Sequence, residues 1–202
     1  SVFMAQTIIS VSREFGSGGH LIAEQIAKDH GLNFYDRHIL DEIATANNMK
    51  VEVLEKYDEK PRNAFLSRRV GTFSNSMEEI LAEMQFEHIR KKAESGESFV
   101  IVGRCAETVL SGRRGLISIF VVGDELAKIS RIRDVYQLSE SDAIAKIRRH
   151  DKKRKQYHNR HSSFRWGDSR FYDLCINSSK LGLERTGAAL ENYIRERMSQ
   201  IQ

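Results

Sequence analysis

A chain of 202 residues with 40% hydrophobic content can form one substantial core and is short for two, because domains usually hold roughly 100 to 200 residues. No apolar stretch approaches the ~20 residues of a membrane span, and no charged-then-apolar signal peptide opens the sequence, so we expect a soluble, cytoplasmic protein. The formal net charge of +4 favours an anionic partner, which could be a nucleotide, a nucleic acid or a membrane surface.

Five short apolar runs predict the strands of a parallel sheet. They are rich in Val, Ile and Phe and do not alternate with polar residues, which is typical of strands buried on both faces. The runs cover residues 7–11, 33–35, 99–102, 117–122 and 174–176. Cys105 and Cys175 lie in or beside such runs and belong to no C-x-x-C pair, so we expect both to be reduced packing residues.

Helical patterns separate these runs. After the first run, apolar residues recur at helical spacing until Gly31 supplies a stop, which predicts a strand, a glycine loop, a helix and a second strand. A longer helix is predicted over residues 77–94 and a last one over residues 183–198. Alternating strands and helices predict a doubly wound α/β fold with about five parallel strands, in which ligands bind beyond the carboxyl ends of the strands.

Two stretches depart from this alternation. Residues 50–76 contain the only proline and predict an arm on the substrate side. Residues 139–167 predict a basic helix followed by a polar loop, which would form a lid. We therefore expect residues 1–202 to form a single domain with an arm and a helical lid insertion.

A glycine-rich loop lies between the first strand and the first helix. Backbone amides at a helix N-terminus can converge on phosphate oxygens, and the helix dipole adds a favourable field. When Gly19 is aligned with the second glycine of G-x-x-x-x-G-K-[ST], Glu14 stands at the first glycine. His20 then stands at the lysine and Leu21 at the magnesium-binding hydroxyl, so the loop is an imperfect P-loop.

The loop has two interpretations. The glycines could serve only the backbone geometry of a tight turn, or the loop could cradle a phosphate, which its position between strand and helix favours. Ser12, Ser17 and Arg13 are the nearby candidates to replace the missing charge or hydroxyl. The residues that we expect to bind the phosphates of a cofactor are Arg13, Gly16, Ser17, Gly18, Gly19 and His20.

Five stretches, in this order and spacing, resemble the cytidylate-kinase-like family of P-loop proteins over nearly the whole chain. They are Ser12-Arg13-Glu14-Phe15-Gly16-Ser17-Gly18-Gly19, Phe34-Tyr35-Asp36, Val102-Gly103-Arg104, Asp151-Lys152-Lys153-Arg154 and Tyr172-Asp173-Leu174-Cys175-Ile176-Asn177-Ser178. The resemblance implies a P-loop NTPase-type sheet and nucleotide substrates. It also implies ATP and Mg²⁺ as cofactors, with no residue assigned to the metal, and transfer of the ATP γ-phosphoryl group to a pyrimidine monophosphate.

Arg104 is the candidate ligand for the acceptor's phosphate. It follows an apolar strand, and its guanidinium matches phosphate geometry bidentately. In cytidylate kinases a Gly-Arg-Asp at this place holds the monophosphate through the Arg, and the Asp helps to read the cytosine. Here Cys105 replaces that Asp, which leaves base selectivity open. An arginine that caps the following helical region through solvent is the alternative.

Asp36 is a second candidate on the substrate side. It ends the second predicted strand, where a carboxylate could accept a hydrogen bond from a hydroxyl or orient a basic partner such as Arg37. An N-cap for a helix that starts near His38 explains it equally well.

The basic segment supplies the remaining catalytic candidates. Helical spacing brings Asp151 and Arg154 to one face, with Arg148 a further turn back. Asp-x-x-Arg resembles the lid signature of nucleotide kinases, whose lid arginines neutralise charge on the transferring phosphoryl group. Together with Arg104, these residues form the predicted catalytic set. A solvated face and a nucleic-acid surface are the alternatives, and the absence of an aromatic series for base stacking makes nucleic acid unlikely.

His20 and Leu21 also motivate a different class of function. A neutral imidazole and an alkyl chain cannot replace an ammonium and a metal-binding hydroxyl, so the chain could be a catalytically weak or inactive nucleotide-binding regulatory protein. We expect no membrane partner, and the sequence does not indicate the oligomeric state.

Overall fold

The computed structural model describes residues 5–36, 38–58, 69–70, 73–74 and 77–201. In chain order the elements are β1 (Ile8–Arg13), α1 (Gly19–His30), β2 (Asn33–Tyr35), α2 (His38–Ala46), α3 (Val51–Tyr57), β3 (Arg69–Val70), β4 (Phe73–Ser74), α4 (Met77–Glu94), β5 (Phe99–Val102), α5 (Ala106–Val109), β6 (Leu116–Val122), α6 (Glu125–Tyr136), α7 (Glu140–His161), a short 3-10 helix (Ser169–Phe171), β7 (Leu174–Asn177) and α8 (Ser178–Ile201).

Five strands form one parallel sheet in the order β2-β5-β1-β6-β7, so that β1 is central. Parallel strands require crossover connections, and helices supply them here. The five predicted runs and the doubly wound α/β fold flanked by helices are therefore confirmed. The short strands β3 and β4 pair with each other in antiparallel fashion, apart from this sheet.

The two edge strands differ from the prediction of full burial. The residues of β5 are all buried, whereas β7 and β2 are partly exposed because each has a neighbour on one side only. Cys175 lies in β7 and is exposed, so its prediction as a packing residue is wrong. Cys105 is buried, and both cysteines are free.

Alternate residues of the central strand pack into separate cores on the two faces of the sheet. Ile8 belongs to the core that includes residues of α2 and α4. Ile9 and Val11 belong to the core that includes residues of α1 and α8. This alternation follows from the period of two in a strand, and it places the end of β1 between two helical layers.

The helices also follow the sequence closely. α1 ends at Gly31, whose left-handed backbone (φ +62°) caps the helix, and α4 has the predicted bounds. α8 begins at Ser178, earlier than predicted, because two helical segments meet at Gly182, which has non-helical backbone angles. The predicted helix from residue 183 corresponds to the second of these two segments, and the kink at Gly182 separates it from the first.

The predicted lid helix is α7, and it packs against the rest of the structure at both ends. Near its start, Ala143 and Ile147 join a cluster with residues of α6. Near its end, Tyr157 packs against residues that include Phe86 of α4. Of the predicted arm, residues 59–68, 71–72 and 75–76 lie outside the described residues.

Among the described helices, none combines the length and the apolar character that a bilayer span needs.

Ile9→Ala tests the central position of β1. Ile9 is fully buried, so the change should lower the free energy of unfolding by about 2–5 kcal/mol. Leu126→Ala, at an exposed position of α6, is the control and should change it by less than about 0.5 kcal/mol. Urea unfolding measures both, and equal effects would contradict the assigned core.

Candidate phosphate-binding site

The glycine loop connects the end of β1 to the start of α1 by a tight path. Gly16 and Gly18 have φ values of +87° and +80°, which L residues rarely adopt. A Cβ on Gly19 would lie 2.5 Å from the Cβ of Arg13. Ser17 Oγ donates a hydrogen bond to the Glu14 carbonyl oxygen at 2.7 Å, which closes the turn from within. Glycine is therefore required here by backbone geometry.

Side chains from other elements hold the outside of this loop. The Glu14 carboxylate accepts a hydrogen bond from Gly123 N at 3.0 Å and lies 3.2 Å from Lys128 Nζ, so it anchors the loop to the end of β6 and to α6. Ser178 Oγ, at the start of α8, donates to the Ser17 carbonyl oxygen. Glu14, at the position of the first P-loop glycine, therefore serves as an anchor.

Three further contacts come from α6 and α7. Asp151 Oδ1 accepts a hydrogen bond from Phe15 N at 2.8 Å. Arg154 Nη1 donates to the Arg13 carbonyl oxygen at 3.2 Å, and Arg131 Nη1 donates to that of Gly16 at 2.5 Å. The loop backbone is thus fixed by the lid helix and by the helix before it.

A cleft of about 450 Å³ opens beside the glycine loop at the carboxyl ends of β1 and β5. The charged and titratable side chains that line it include Arg13, His20, Asp36, Arg104, Arg131 and Arg154. A larger groove of about 740 Å³ lies between α1 and α8. The smaller cleft is the candidate phosphate site, because ligands of such sheets bind beyond the carboxyl ends of the strands and because the four arginines line it.

Four arginines from four different elements reach this cleft. The guanidinium of Arg13 lies against Gly103: a Cβ added at Gly103 would lie 2.9 Å from Arg13 Nη1. Arg104 pairs with Asp58 and donates to Gln85 Oε1 at 3.3 Å. The cleft therefore concentrates positive charge, which comes from the end of β1, from the turn after β5, and from α6 and α7.

Arg131 is the cation that lies closest to the glycine loop. Its Nη1 donates a hydrogen bond to the Gly16 carbonyl oxygen. A Cβ added at Gly18 would lie 3.2 Å from the same nitrogen. Burial lowers the pKa of its guanidinium, and within the described part of the chain it forms no ion pair with a carboxylate. An anion in the cleft would offset that cost of burial.

His20 and Asp36 form a pair at the other side of the loop. His20 Nε2 lies 2.6 Å from Asp36 Oδ2, and the imidazole packs edge-on against Phe34 with ring centroids 5.3 Å apart. The position of the P-loop lysine is therefore occupied by an imidazole beside a carboxylate. Arg37, the other predicted partner of Asp36, lies outside the described residues.

His150 reflects the positive environment. Its ring stacks on Phe15, with centroids 4.1 Å apart and planes 8° apart. Burial, with the nearby charges of Arg154 and Lys146, lowers the pKa of His150 to about 4, so the ring is neutral at neutral pH. Burial raises the pKa of Asp151, opposed by its bond from Phe15 N.

A buried pair, His158 and Glu107, joins α7 to the core behind the cleft. His158 Nε2 lies 2.6 Å from Glu107 Oε1, and Ser12 Oγ donates to Glu107 Oε2 at 3.4 Å. Both members of the pair are almost fully buried. His158 therefore belongs to the last turn of α7 and links it to α5 and to β1.

The structure separates the predicted site residues into three groups. Those that line the cleft are Arg13, Gly16, Gly18, Gly19, His20, Asp36, Arg104 and Arg154. Ser17 and Asp151 direct their side chains to the loop backbone instead. Arg148 is exposed and is not among the residues that line the cleft, because the inward stripe of α7 runs through Ile147 and His150.

Sequence reasoning missed Arg131, His150, Asp58 and Gln85. The stripe of residues 143, 147, 150, 151, 154 and 158 follows helical spacing and could have identified His150. No sequence signal distinguishes Arg131 from Arg133, two positions along the same helix. Asp58 and Gln85 meet Arg104 only through tertiary packing.

With the strand order and the loop in place, the chain falls into the class of α/β proteins with a P-loop kinase fold. Residues 8–180 match the cytidylate kinase-like family, and the chain belongs to that family. The resemblance seen in the sequence is thereby confirmed. Family membership supports a nucleotide or small-molecule kinase that uses nucleotide substrates.

Solved structures agree on the fold. An uncharacterized protein from Eubacterium ventriosum ATCC 27560 superposes with a TM-score of 0.75 at 36% identity, over 94% of this chain and 99% of that one. Shikimate kinase from Bacteroides thetaiotaomicron gives 0.56 at 13% identity, over 95% and 99%. Shikimate kinase from Acinetobacter baumannii, in complex with shikimate, gives 0.52 at 13%, over 96% of each chain. A comparison with curated proteins gives no match.

His150→Phe tests the electrostatics of the cleft. Between pH 6.5 and about 4 the unfolded chain binds a proton at this histidine and the folded protein does not, so the free energy of unfolding falls as the pH falls through this window. Phenylalanine keeps the stacking and removes this loss. Urea unfolding at pH 7.5 and pH 5 should show a larger acid loss for the unmutated protein; equal losses would contradict the lowered pKa.

Proposed function

We propose that this protein is an ATP-dependent nucleoside-monophosphate kinase that transfers the γ-phosphoryl group to a pyrimidine monophosphate. One observation carries the proposal: four guanidinium groups converge on a glycine loop at the carboxyl ends of the strands. Such transfer needs positioning and charge stabilisation more than covalent chemistry from the protein. Family membership supports the same class of reaction.

On the donor side, the glycine loop receives the phosphates of ATP through its backbone amides. Arg131 supplies the cation that the loop lacks, because it lies against Gly16 and Gly18 from α6. Arg13, at the end of β1, adds charge toward the acceptor side. Arginine is suited to both tasks, since its fork pairs two phosphate oxygens at once.

On the acceptor side, Arg104 binds the monophosphate. An oxygen of this phosphate attacks the γ-phosphorus in line, the bond from the γ-phosphorus to the bridging oxygen breaks, and ADP leaves with that oxygen. Arg154, held over the loop by α7, neutralises charge on the transferring group. Asp151 acts on the loop backbone, and not on the reacting atoms, by accepting the Phe15 amide.

The residues present can hold Mg²⁺ in one way. Leu21 stands where a P-loop hydroxyl would bind it, and the described residues contain no cluster of three His, Cys or carboxylate ligands. Glu14 and Asp36 both line the cleft, but the Glu14 carboxylate is held by Lys128 and Gly123. Asp36 is therefore the carboxylate that would hold Mg²⁺, which is commonly bound by one or two carboxylates together with phosphates and water. The metal would supply charge neutralisation on the phosphates.

Loss of catalysis with retained nucleotide binding is the second candidate function. Leu21 and His20 favour it, because neither supplies the charge or hydroxyl of a standard P-loop. Calorimetry would distinguish the two, since a binding protein takes up ATP without turning it over. A cytoplasmic location and a basic lid spanning residues 139–167 stay predictions.

A coupled assay of ADP release tests the proposed reaction. With ATP and Mg²⁺, we expect turnover with CMP, dCMP or UMP that exceeds turnover with AMP, because the acceptor is proposed to be a pyrimidine monophosphate. The rate without acceptor is the control for hydrolysis. Folded protein that gives only this background rate with all four acceptors would rule the kinase out.

Arg131→Gln tests the surrogate for the P-loop lysine. Loss of a positioned cation on the phosphates should lower kcat/KM by about a hundredfold or more. Arg133→Gln is the matched control, because it removes the same charge from an exposed position of the same helix and should leave kcat/KM within about twofold. Equal effects of the two variants would show that only the net charge matters.

A further inference from the structure

Arg104 is held in an unusual backbone conformation. Gly103, Arg104 and Cys105 have φ values of +71°, +62° and +53°, so three consecutive residues are left-handed. For the two non-glycine residues this conformation is strained, and such strain persists only where the surroundings impose it. The conformation places the Arg104 side chain at the end of β5, between the cleft and α4.

The guanidinium of Arg104 is already engaged with a carboxylate. Its Nη1 donates to Asp58 Oδ1 and to Gln85 Oε1, and Gln85 Nε2 donates to the same Asp58 oxygen at 3.3 Å. Arg104 is 8% exposed and Gln85 only 1%. A buried arginine needs a counter-ion, and in this structure Asp58 provides it.

Asp58 offers Arg104 the same chemistry as a phosphate. A carboxylate and a phosphate both present oxygen pairs that a guanidinium fork can bind, and both carry negative charge. Asp58 is the first residue after α3, and Leu54 anchors this short helix in the core. Arg104 also lines the cleft, so an anion bound there can pair with the same guanidinium.

We propose that Asp58 is an internal counter-ion that competes with the acceptor's phosphate for Arg104 and so sets the affinity for phosphorylated acceptors. In the free protein it neutralises the arginine. A phosphate dianion, with the larger charge, takes over this pairing, whereas an acceptor without a phosphate does not. Asp58 therefore weakens binding of every phosphorylated acceptor and leaves binding of unphosphorylated nucleosides unchanged. The inference rests on the proposed role of Arg104 in acceptor binding.

Calorimetry on Asp58→Asn tests this competition with three probes: CMP, inorganic phosphate and cytidine. The variant removes a charged group that competes with the phosphate for Arg104, so CMP and phosphate should bind roughly tenfold more tightly to it, with cytidine unchanged. Glu52→Gln removes the same charge from an exposed position of α3 and should bind all three probes like the unmutated protein. Unchanged or weaker CMP and phosphate binding by Asp58→Asn would overturn the inference.

Two further variants keep the test decisive. Gln85→Glu places a second carboxyl group beside Arg104 and Asp58, so at a pH where both carboxyl groups are ionised CMP and phosphate should bind about tenfold more weakly, even if Asp58→Asn does not fold. In the double variant Arg104→Gln/Asp58→Asn the gain in phosphate affinity should disappear, because no guanidinium remains to be released. A gain that persists would show a general field effect and would contradict the direct pairing.

The inference and the proposed function fail in different ways. Tighter phosphate binding by Asp58→Asn, together with unmutated protein that turns over none of the four acceptors, would support the competition and refute the kinase. Robust turnover of CMP by the unmutated protein, with no gain in affinity on Asp58→Asn, would support the kinase and refute the competition.

Discussion

The site depends on one constraint: the backbone of the glycine loop is held from outside by side chains of helices that are distant in sequence. Asp151 takes the Phe15 amide, Arg131 takes the Gly16 carbonyl, and Glu14 ties the loop to Gly123. A loop that contains two left-handed glycines has little stability of its own. Because α6 and α7 fix the loop, the positions of its amides relative to the arginines of these helices are set together, and a shift of either helix would shift the loop.

The distribution of charge follows from the same arrangement. A standard P-loop carries its cation and its metal-binding hydroxyl within the loop sequence, but here His20 and Leu21 occupy those positions. Positive charge reaches the cleft instead from β1, from the turn after β5, and from α6 and α7. Burial in this field keeps His150 neutral, while Asp58 balances Arg104. Positive charge supplied by several elements favours an anionic ligand and also makes the cleft dependent on the position of α7.

Family membership supports the kinase class, and this chain departs from a standard P-loop at His20 and Leu21. The chain has a glycine loop after β1, an arginine after β5 and an Asp-x-x-Arg sequence in α7. In the structure these and neighbouring residues do not all lie where the motifs predict. Asp151 supports the loop and Arg148 lies outside the cleft, whereas Arg131 lies inside it. A motif identifies which residues to examine, but only their packing decides which atoms face the ligand.

The sequence by itself determined the five strands, the glycine loop, the bounds of α4 and the position of Arg104 at a strand end, because period, composition and strand-to-helix order are local properties. It also determined the family. The tertiary structure decided that Asp58 and Gln85 meet Arg104, that Arg131 and not Arg133 lies on the loop, and that Cys175 is exposed in an edge strand. These outcomes depend on strand order and helix rotation, which are fixed by packing between segments far apart in the chain, and no local pattern records them.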